Sequence, residues 1–156
     1  MGIKKYDDNI IISYSDILFD SRIIKKLINK KTKNVTIPIL KNWKKIWTIR
    51  NKNHLTDGET LILKDKGRIK SIGEEIINLR EIKYQYMGLI YIPQKKREHL
   101  LNIYHKLKKQ KKMHATNFLN YLIKNKLIID TVKINNGWYE FDDLEDLNNY
   151  RKYFVN

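Results

Sequence analysis

The sequence contains no cysteine and no long apolar run. Without cysteine, the chain can form neither a disulfide scaffold nor a thiolate metal site, and this composition fits a reducing compartment. No apolar run approaches the roughly 20 residues needed to span a bilayer. The first residues lack the small-residue cleavage site of a signal peptide. We therefore expect a soluble, cytoplasmic protein.

Glycine is also scarce. The six glycines are scattered along the chain, at Gly2, Gly58, Gly67, Gly73, Gly88 and Gly137. None belongs to a cluster of the kind whose backbone amides cradle phosphate groups. Loops that bind a triphosphate through clustered glycines are therefore not visible in this sequence.

The length of 156 residues predicts a single domain spanning residues 1–156. A net charge of +15 would suit a nucleic-acid partner. Apart from the basic run 106–112, however, the lysines are scattered, as they are in proteins encoded by AT-rich genes. Trp43 and Trp47 are spaced for packing on one helical face, with base stacking as the alternative. Composition therefore argues against a nucleic-acid partner. A phosphate-rich small substrate would also explain part of the charge.

Residues 10–19 (IIISYSDILF) combine β-branched residues with one carboxylate. The run Ile10–Tyr14 predicts a strand buried on both faces, in the middle of a sheet. Asp16 follows at the point where this strand ends. Ligands of open α/β sheets bind outside the carboxyl ends of the strands. We therefore predict that Asp16 is a metal-holding carboxylate in an enzyme that handles nucleotides.

The remaining pattern alternates strands and helices. Asp20 or Ser21 is expected to cap a helix, and Pro38 places the end of strand 34–40 at an edge or bend. A hairpin over 59–72 turns at Gly67. Further along, the pattern predicts a β-rich run 81–92 interrupted by Gly88, a helix 95–112, a helix capped by Thr116, a strand 127–134, a short strand 138–141 and a closing helix 143–154.

A second acidic locus lies near the end of the chain. Five carboxylates crowd into a short stretch of an otherwise basic protein: Glu140, Asp142, Asp143, Glu145 and Asp146. Capping of the last helix and metal binding both explain this crowding. Mg²⁺ is usually held by one or two carboxylates together with phosphates and water. Asp16 and Asp142 would suit that role if their strand ends lie close together.

Four motifs occur in a fixed order along the chain. They are YSDILF at 14–19, YQYMGLIYI at 84–92, HATNFLNYLI at 114–123 and GWYEFDDLEDL at 137–147. In this order they resemble the sugar-phosphate and choline-phosphate nucleotidyltransferases, over nearly the whole chain from Asn9 onward. That family has a Rossmann-like fold and condenses a nucleoside triphosphate with a phosphorylated sugar or alcohol, releasing pyrophosphate.

The resemblance implies specific roles for five residues. Asp16 and Asp142 match the family's two Mg²⁺-binding aspartates. Tyr86 and Gly88 match the strand that lines the acceptor pocket. We assign Glu140, in the tryptophan-x-glutamate stretch before the second aspartate, to substrate binding. The expected cofactor is therefore Mg²⁺, held by Asp16 and Asp142.

One family feature is absent. The family begins with a glycine-rich loop followed by a lysine, and this chain has no such loop. We therefore expect the C-terminal portion of a nucleotidyltransferase domain: an α/β, partial Rossmann-like fold with a mixed sheet flanked by helices and a small β-hairpin excursion. The absent strands should leave one sheet edge unpaired and apolar. Self-association, or a partner chain supplying the missing half, should cover that edge.

The predicted reaction transfers a nucleoside monophosphate from CTP or a similar triphosphate to a sugar-phosphate or amino-alcohol phosphate. It would proceed by in-line attack, without a covalent intermediate. Whether the chain is an enzyme by itself stays open, because no element that cradles the triphosphate is visible. The alternative is a non-catalytic remnant or a basic nucleic-acid-binding module.

Overall fold

The computed structural model describes residues 8–30, 32–53, 57–107 and 113–155. Within these ranges, the strands are β1 (Ile10–Ser13), β2 (Ile17–Phe19), β3 (Val35–Leu40), β4 (Leu61–Lys64), β5 (Arg68–Ile72), β6 (Gln85–Tyr86), β7 (Leu89–Ile92), β8 (Ile129–Ile134) and β9 (Trp138–Glu140). The α-helices there are α1 (Ser21–Asn29), α2 (Trp43–Ile49), α3 (Gln94–Lys106), α4 (Ala115–Lys124) and α5 (Leu144–Tyr150). None of these helices has the length and apolar character needed to cross a membrane.

The described strands form one mixed sheet and one small ribbon. The sheet has the order β1-β7-β3-β8-β5-β4, with β6 beside β3, and the ribbon pairs β2 with β9. β3 and β8 are parallel, while the other pairs are antiparallel. The hairpin β4–β5 joins the main sheet through β8. The predicted α/β fold with a mixed sheet is confirmed.

Helices cover both faces of the sheet. α3 and α4 bury Leu100 and Leu119 in the core on one face, and α1 and α2 bury Ile23 and Trp43 in the core on the other. Every residue of β3 is buried, as expected for a strand with a helical layer on each side. The sheet is thus the middle of three layers, and its strand ends are held in fixed positions.

β1 does not lie in the middle of the sheet as the sequence pattern predicted. Its three isoleucines are only partly buried, and among the described residues it pairs with β7 alone. The prediction of a strand buried on both faces is therefore wrong, because no further strand in these ranges lies against its outer edge. Within the described ranges, the outer edge of β1 carries no partner strand, and three of its four residues are isoleucines.

Pro38 also lies where the sequence did not place it. β3 is a central strand, so the prediction of an edge or bend is wrong. β6 and β7 both pair with the same edge of β3. Met87 and Gly88 lie between these two strands and leave a gap in the pairing. Pro38 lies opposite that gap, so its missing N–H removes no bond from the ladder there.

Two predicted helix boundaries change, and one cap is confirmed. Thr116 lies inside the first turn of α4 rather than at its cap, which is His114. α3 ends at Lys106, and residues 108–112 of the predicted helix lie outside the described residues. Asp20 does cap α1, accepting a hydrogen bond of 2.8 Å from the backbone N–H of Arg22.

Candidate active site

The ribbon β2–β9 brings the two acidic loci of the sequence together. Its register places Ile17 opposite Glu140. One step further along, the backbone N–H of Phe141 donates to the carbonyl of Asp16 over 2.9 Å. Asp16 therefore lies beside the segment that carries Glu140 and Asp142. The condition that their strand ends lie close together is met.

A fully buried arginine, Arg50, organises these carboxylates. It follows α2, and its guanidinium donates to Asp146 over 3.0 and 3.1 Å and to Glu140 over 2.9 Å. A third carboxylate, Asp142, accepts from the same guanidinium. Burial opposes the charge on Arg50, but the bonds to Asp146 and the nearby carboxylates raise its pKa above the usual range. Sequence reasoning missed Arg50, although a crowd of acidic residues in a basic chain does signal a shared cation.

The tryptophans pack behind this ion cluster. Trp47 stacks on Trp138 at 5.9 Å between ring centroids and meets Trp43 edge-to-face at 5.7 Å. The guanidinium of Arg50 lies 5.2 Å from the centre of the Trp47 ring. Trp43 and Trp47 are both buried, so they pack as predicted.

The acidic residues divide into structural and exposed groups. Asp143 caps α5, accepting a bond of 2.9 Å from the backbone N–H of Asp146. Asp146 is fully buried and forms a salt bridge with Arg50. Asp142 keeps 44% of its side chain exposed, and Asp16 is exposed as well. Capping is therefore confirmed for Asp143, while Asp16 and Asp142 are left facing solvent.

The electrostatics show that the carboxylates converge. Desolvation raises the pKa of Glu140 to about 7, with Arg50 opposing the shift and the charges of Asp142 and Asp16 adding to it. Three carboxylates thus lie within electrostatic reach of one another, and a cation bound between them would relieve their repulsion.

These residues fit a Mg²⁺ ion held partly by substrate. Within the described ranges, no three His, Cys, Asp or Glu side chains are arranged to hold a metal by themselves. Mg²⁺ needs fewer protein ligands, because substrate phosphates and water usually supply the others. Asp16 is exposed, and Oδ1 of Asp142 accepts no hydrogen bond from the described part of the chain. Two hard oxygen donors of the right type are therefore available.

A cavity of 270 Å³ opens beside these carboxylates. Its wall consists of Tyr14, Trp47, Asp57, Glu59, Gln85, Tyr86, Gly88, His114, Thr116, Glu140 and Asp142. A larger cavity of 510 Å³ lies elsewhere, near β2 and α5, and its lining contains one carboxylate, the helix cap Asp20. We place the candidate site in the smaller cavity, because titratable groups converge there.

Gly88 joins two of the sequence motifs. The backbone N–H of Tyr14 donates to its carbonyl over 2.9 Å. Its φ is +71°, and a β-carbon there would lie 3.0 Å from the Tyr14 ring. The ring of Tyr14 in turn meets Tyr86 edge-to-face at 5.8 Å. Glycine is thus required where the strand before Asp16 meets the cavity wall.

Comparison with known proteins gives one curated relative and many similar structures. No family model matches the sequence. The chain is 33% identical over 147 residues to the CTP:phosphoglutamine cytidylyltransferase of Campylobacter jejuni, covering 89% of this chain and 57% of that protein. The inositol-1-phosphate CTP transferase of T. maritima matches with a TM-score of 0.68 at 16% identity, covering 90% of this chain and 52% of its own.

A Bacillus anthracis protein assigned as a glucose-1-phosphate thymidylyltransferase matches with a TM-score of 0.66 at 11% identity, covering 94% of this chain and 55% of its own. The chain thus spans little more than half the length of each of these proteins. The resemblance predicted from the motifs is confirmed: the chain has a partial Rossmann-like nucleotidyltransferase fold, and it resembles the nucleotidyltransferases over most of its length.

Proposed function

We propose that this chain forms the acceptor and metal side of a nucleotidyltransferase. The reaction moves a nucleoside monophosphate from CTP or a similar triphosphate to a phosphorylated small molecule. The observation that carries the proposal is the β2–β9 pairing, which places Asp16 beside Asp142. The cytidylyltransferase named as its relative supports CTP as donor.

In this reaction, an oxygen of the acceptor's phosphate attacks the α-phosphorus of the triphosphate. A new P–O bond forms, the bond to the bridging oxygen of the β-phosphate breaks, and pyrophosphate leaves. Asp16 and Asp142 would hold Mg²⁺, which when bound neutralises phosphate charge. Tyr86 and Gly88 shape the acceptor's cavity, and Glu140 faces it from β9. Catalysis is then mostly positioning and charge neutralisation.

Arg50 supports the site without lining the cavity. Its bonds to Glu140 and Asp142 fix the two carboxylates from behind. A carboxylate that is already held loses less freedom when it binds a ligand. We therefore treat Arg50 as a positioning residue.

The triphosphate cradle is proposed to come from a strand-bearing segment that pairs with the outer edge of β1. That edge is unpaired in the described ranges, and the similar proteins are nearly twice as long. An unpaired apolar strand is a template for β-augmentation. Sedimentation of the chain at increasing concentration tests whether this edge is available. We expect association, and Ile11→Lys should weaken it. A strictly monomeric chain would argue against an available edge.

Binding of a nucleotide-linked product tests the function. We expect saturable, Mg²⁺-dependent binding of a CDP-linked compound, which Asp16→Ala and Asp142→Ala each abolish. Asp65→Ala, an exposed carboxylate in the hairpin turn, is the matched control and should bind as the wild type does. Binding that ignores both Mg²⁺ and the two substitutions would overturn the proposal. Steep salt-dependent binding to arbitrary DNA or RNA instead would support the nucleic-acid alternative.

A further inference from the structure

The cavity beside Asp142 is negative, although the chain as a whole is strongly positive. Among the described residues that line it are four carboxylates, Asp57, Glu59, Glu140 and Asp142, and no lysine or arginine. Arg50 lies behind the wall and pairs with Glu140 and Asp142, and it approaches Asp57 at 4.0 Å. Glu59 forms no salt bridge with any described residue. Glu59, which is exposed, is therefore the carboxylate of this wall that no described cation pairs with in a salt bridge.

The position of Glu59 is fixed from two sides. The hydroxyl of Thr116 donates to its Oε1 over 3.2 Å. The side-chain amide of Gln85 clamps its backbone, accepting from its N–H over 3.2 Å and donating to its carbonyl over 2.5 Å. Partial desolvation raises the pKa of Glu59, with Thr116 and His114 opposing the shift. The carboxylate is thus held in place while its charge lacks a strong partner.

A second polar group of the same cavity also lacks a partner. Tyr86 is 9% exposed, and its hydroxyl is buried without a hydrogen bond to any described residue. Tyr86 and Glu59 line the same cavity. Burial raises the pKa of Tyr86, and the charges of Tyr14 and Glu59 add to the shift. Buried polar groups are almost always satisfied, so a buried, unpaired hydroxyl on a residue that lines a cavity points to a ligand.

The chemistry of these groups selects a cation that donates hydrogen bonds. A primary ammonium has three donors and no acceptor, which matches a carboxylate and a phenolic oxygen. The rings of Tyr14 and Tyr86 add an aromatic wall that favours a cation. A neutral hydroxyl in the same place would leave the charge of Glu59 uncompensated.

We propose that Glu59 and Tyr86 bind an ammonium group of the acceptor, so that the site prefers a phosphorylated amino compound over a phosphorylated sugar or polyol. This inference rests on the proposed function, because it assigns the acceptor of the same reaction. It makes Glu59 the residue that determines acceptor specificity.

A pair of matched probes tests it by equilibrium binding, without turnover. O-Phosphoethanolamine and 2-hydroxyethyl phosphate differ only in an ammonium or a hydroxyl group. We expect the wild type to prefer the ammonium probe by about tenfold, as for a charge-assisted hydrogen bond. Glu59→Gln should remove this preference, and Tyr86→Phe should reduce it. Glu75→Gln, an exposed carboxylate outside the cavity wall, should keep it.

Equal affinity of the wild type for the two probes would overturn the inference, as would a preference that survives Glu59→Gln, or binding of neither probe at millimolar concentration. Binding of the CDP-linked compound is measured in parallel. If that binding requires Mg²⁺ and Asp16 while the probes show no preference, the acceptor assignment fails and the proposed function stands. If the CDP-linked compound does not bind, the proposed function fails.

Discussion

Replacing Arg50 by methionine should be among the most destabilising single changes in this chain. Methionine keeps much of the apolar stem and removes the guanidinium. The fully buried carboxylate of Asp146 then loses both of its bonds to Arg50, at 3.0 and 3.1 Å. Glu140 and Asp142 lose a bond each, but both remain partly exposed. Asp146 keeps the backbone N–H of Asp142 at 2.8 Å and Nζ of Lys52 at 3.7 Å, but it loses the cation that binds both of its oxygens, so most of the cost falls on Asp146.

Removing one partner of a buried ion pair typically costs about 3–5 kcal/mol, because the other charge is left buried and uncompensated. A domain of this size is stable by about 5–15 kcal/mol, so Arg50→Met should remove at least about a fifth of the total. Urea unfolding, followed by circular dichroism and tryptophan fluorescence, measures the free energy of unfolding. Trp47 lies against Arg50 and should report the change directly.

Two further variants make this test specific. Arg80→Met removes an exposed arginine and should change stability by no more than about 0.5 kcal/mol. The double variant Arg50→Met with Asp146→Asn removes the buried charge together with its partner, and should recover part of the loss. A cost below about 1 kcal/mol for Arg50→Met would refute the reasoning that Asp146 is a buried charge dependent on Arg50.

Three more changes have defined outcomes in the same unfolding assay. Tyr86→Phe removes a buried hydroxyl that has no partner in the described residues, so it should stabilise the chain by about 1 kcal/mol; destabilisation would show that the hydroxyl is satisfied. Gly88→Ala places a β-carbon 3.0 Å from the Tyr14 ring, whereas at Gly67 the nearest atom is 3.6 Å away. Both positions have positive φ, so Gly88→Ala should cost about 1 kcal/mol more than Gly67→Ala, and equal costs would contradict the close contact.

Desolvation raises the pKa of Glu140 from 4.5 to about 7, so the folded chain keeps a proton that the unfolded chain releases between these values. The stability that Glu140 contributes is fully present below pH 4.5 and is lost as the pH rises through 7. The free energy of unfolding of the wild type, relative to that of Glu140→Gln, should therefore fall by at most about 3 kcal/mol as the pH rises over this range. A difference between the two proteins that does not change with pH would contradict the raised pKa.

Local signals in the sequence predicted local structure well. The cap at Asp20, the turn at Gly67 and the interruption at Gly88 each depend on the chemistry of one residue and its immediate neighbours. The four ordered motifs also predicted the fold of the whole chain, which no single local signal does. A metal shared by Asp16 and Asp142 requires their strand ends to lie close together, and the pairing of β2 with β9 meets this requirement.

Features that depend on distant partners could not be predicted in the same way. Arg50 meets Asp146 across 96 residues of sequence, and nothing in its own segment distinguishes it from the other basic residues. Pro38 is tolerated in a central strand only because a gap between two other strands lies opposite it. The apolar run in β1 looked like a buried strand, but burial depends on a neighbour that the described residues do not provide.

The central claim is that Asp16 and Asp142 share one metal ion. A titration with Mn²⁺ in place of Mg²⁺, followed by electron paramagnetic resonance in the presence of CDP, tests it most directly. We predict one bound ion in the wild type and in the Asp65→Ala control, with loss of most of the affinity in both Asp16→Ala and Asp142→Ala. Wild-type affinity in either of these two variants would contradict a shared site.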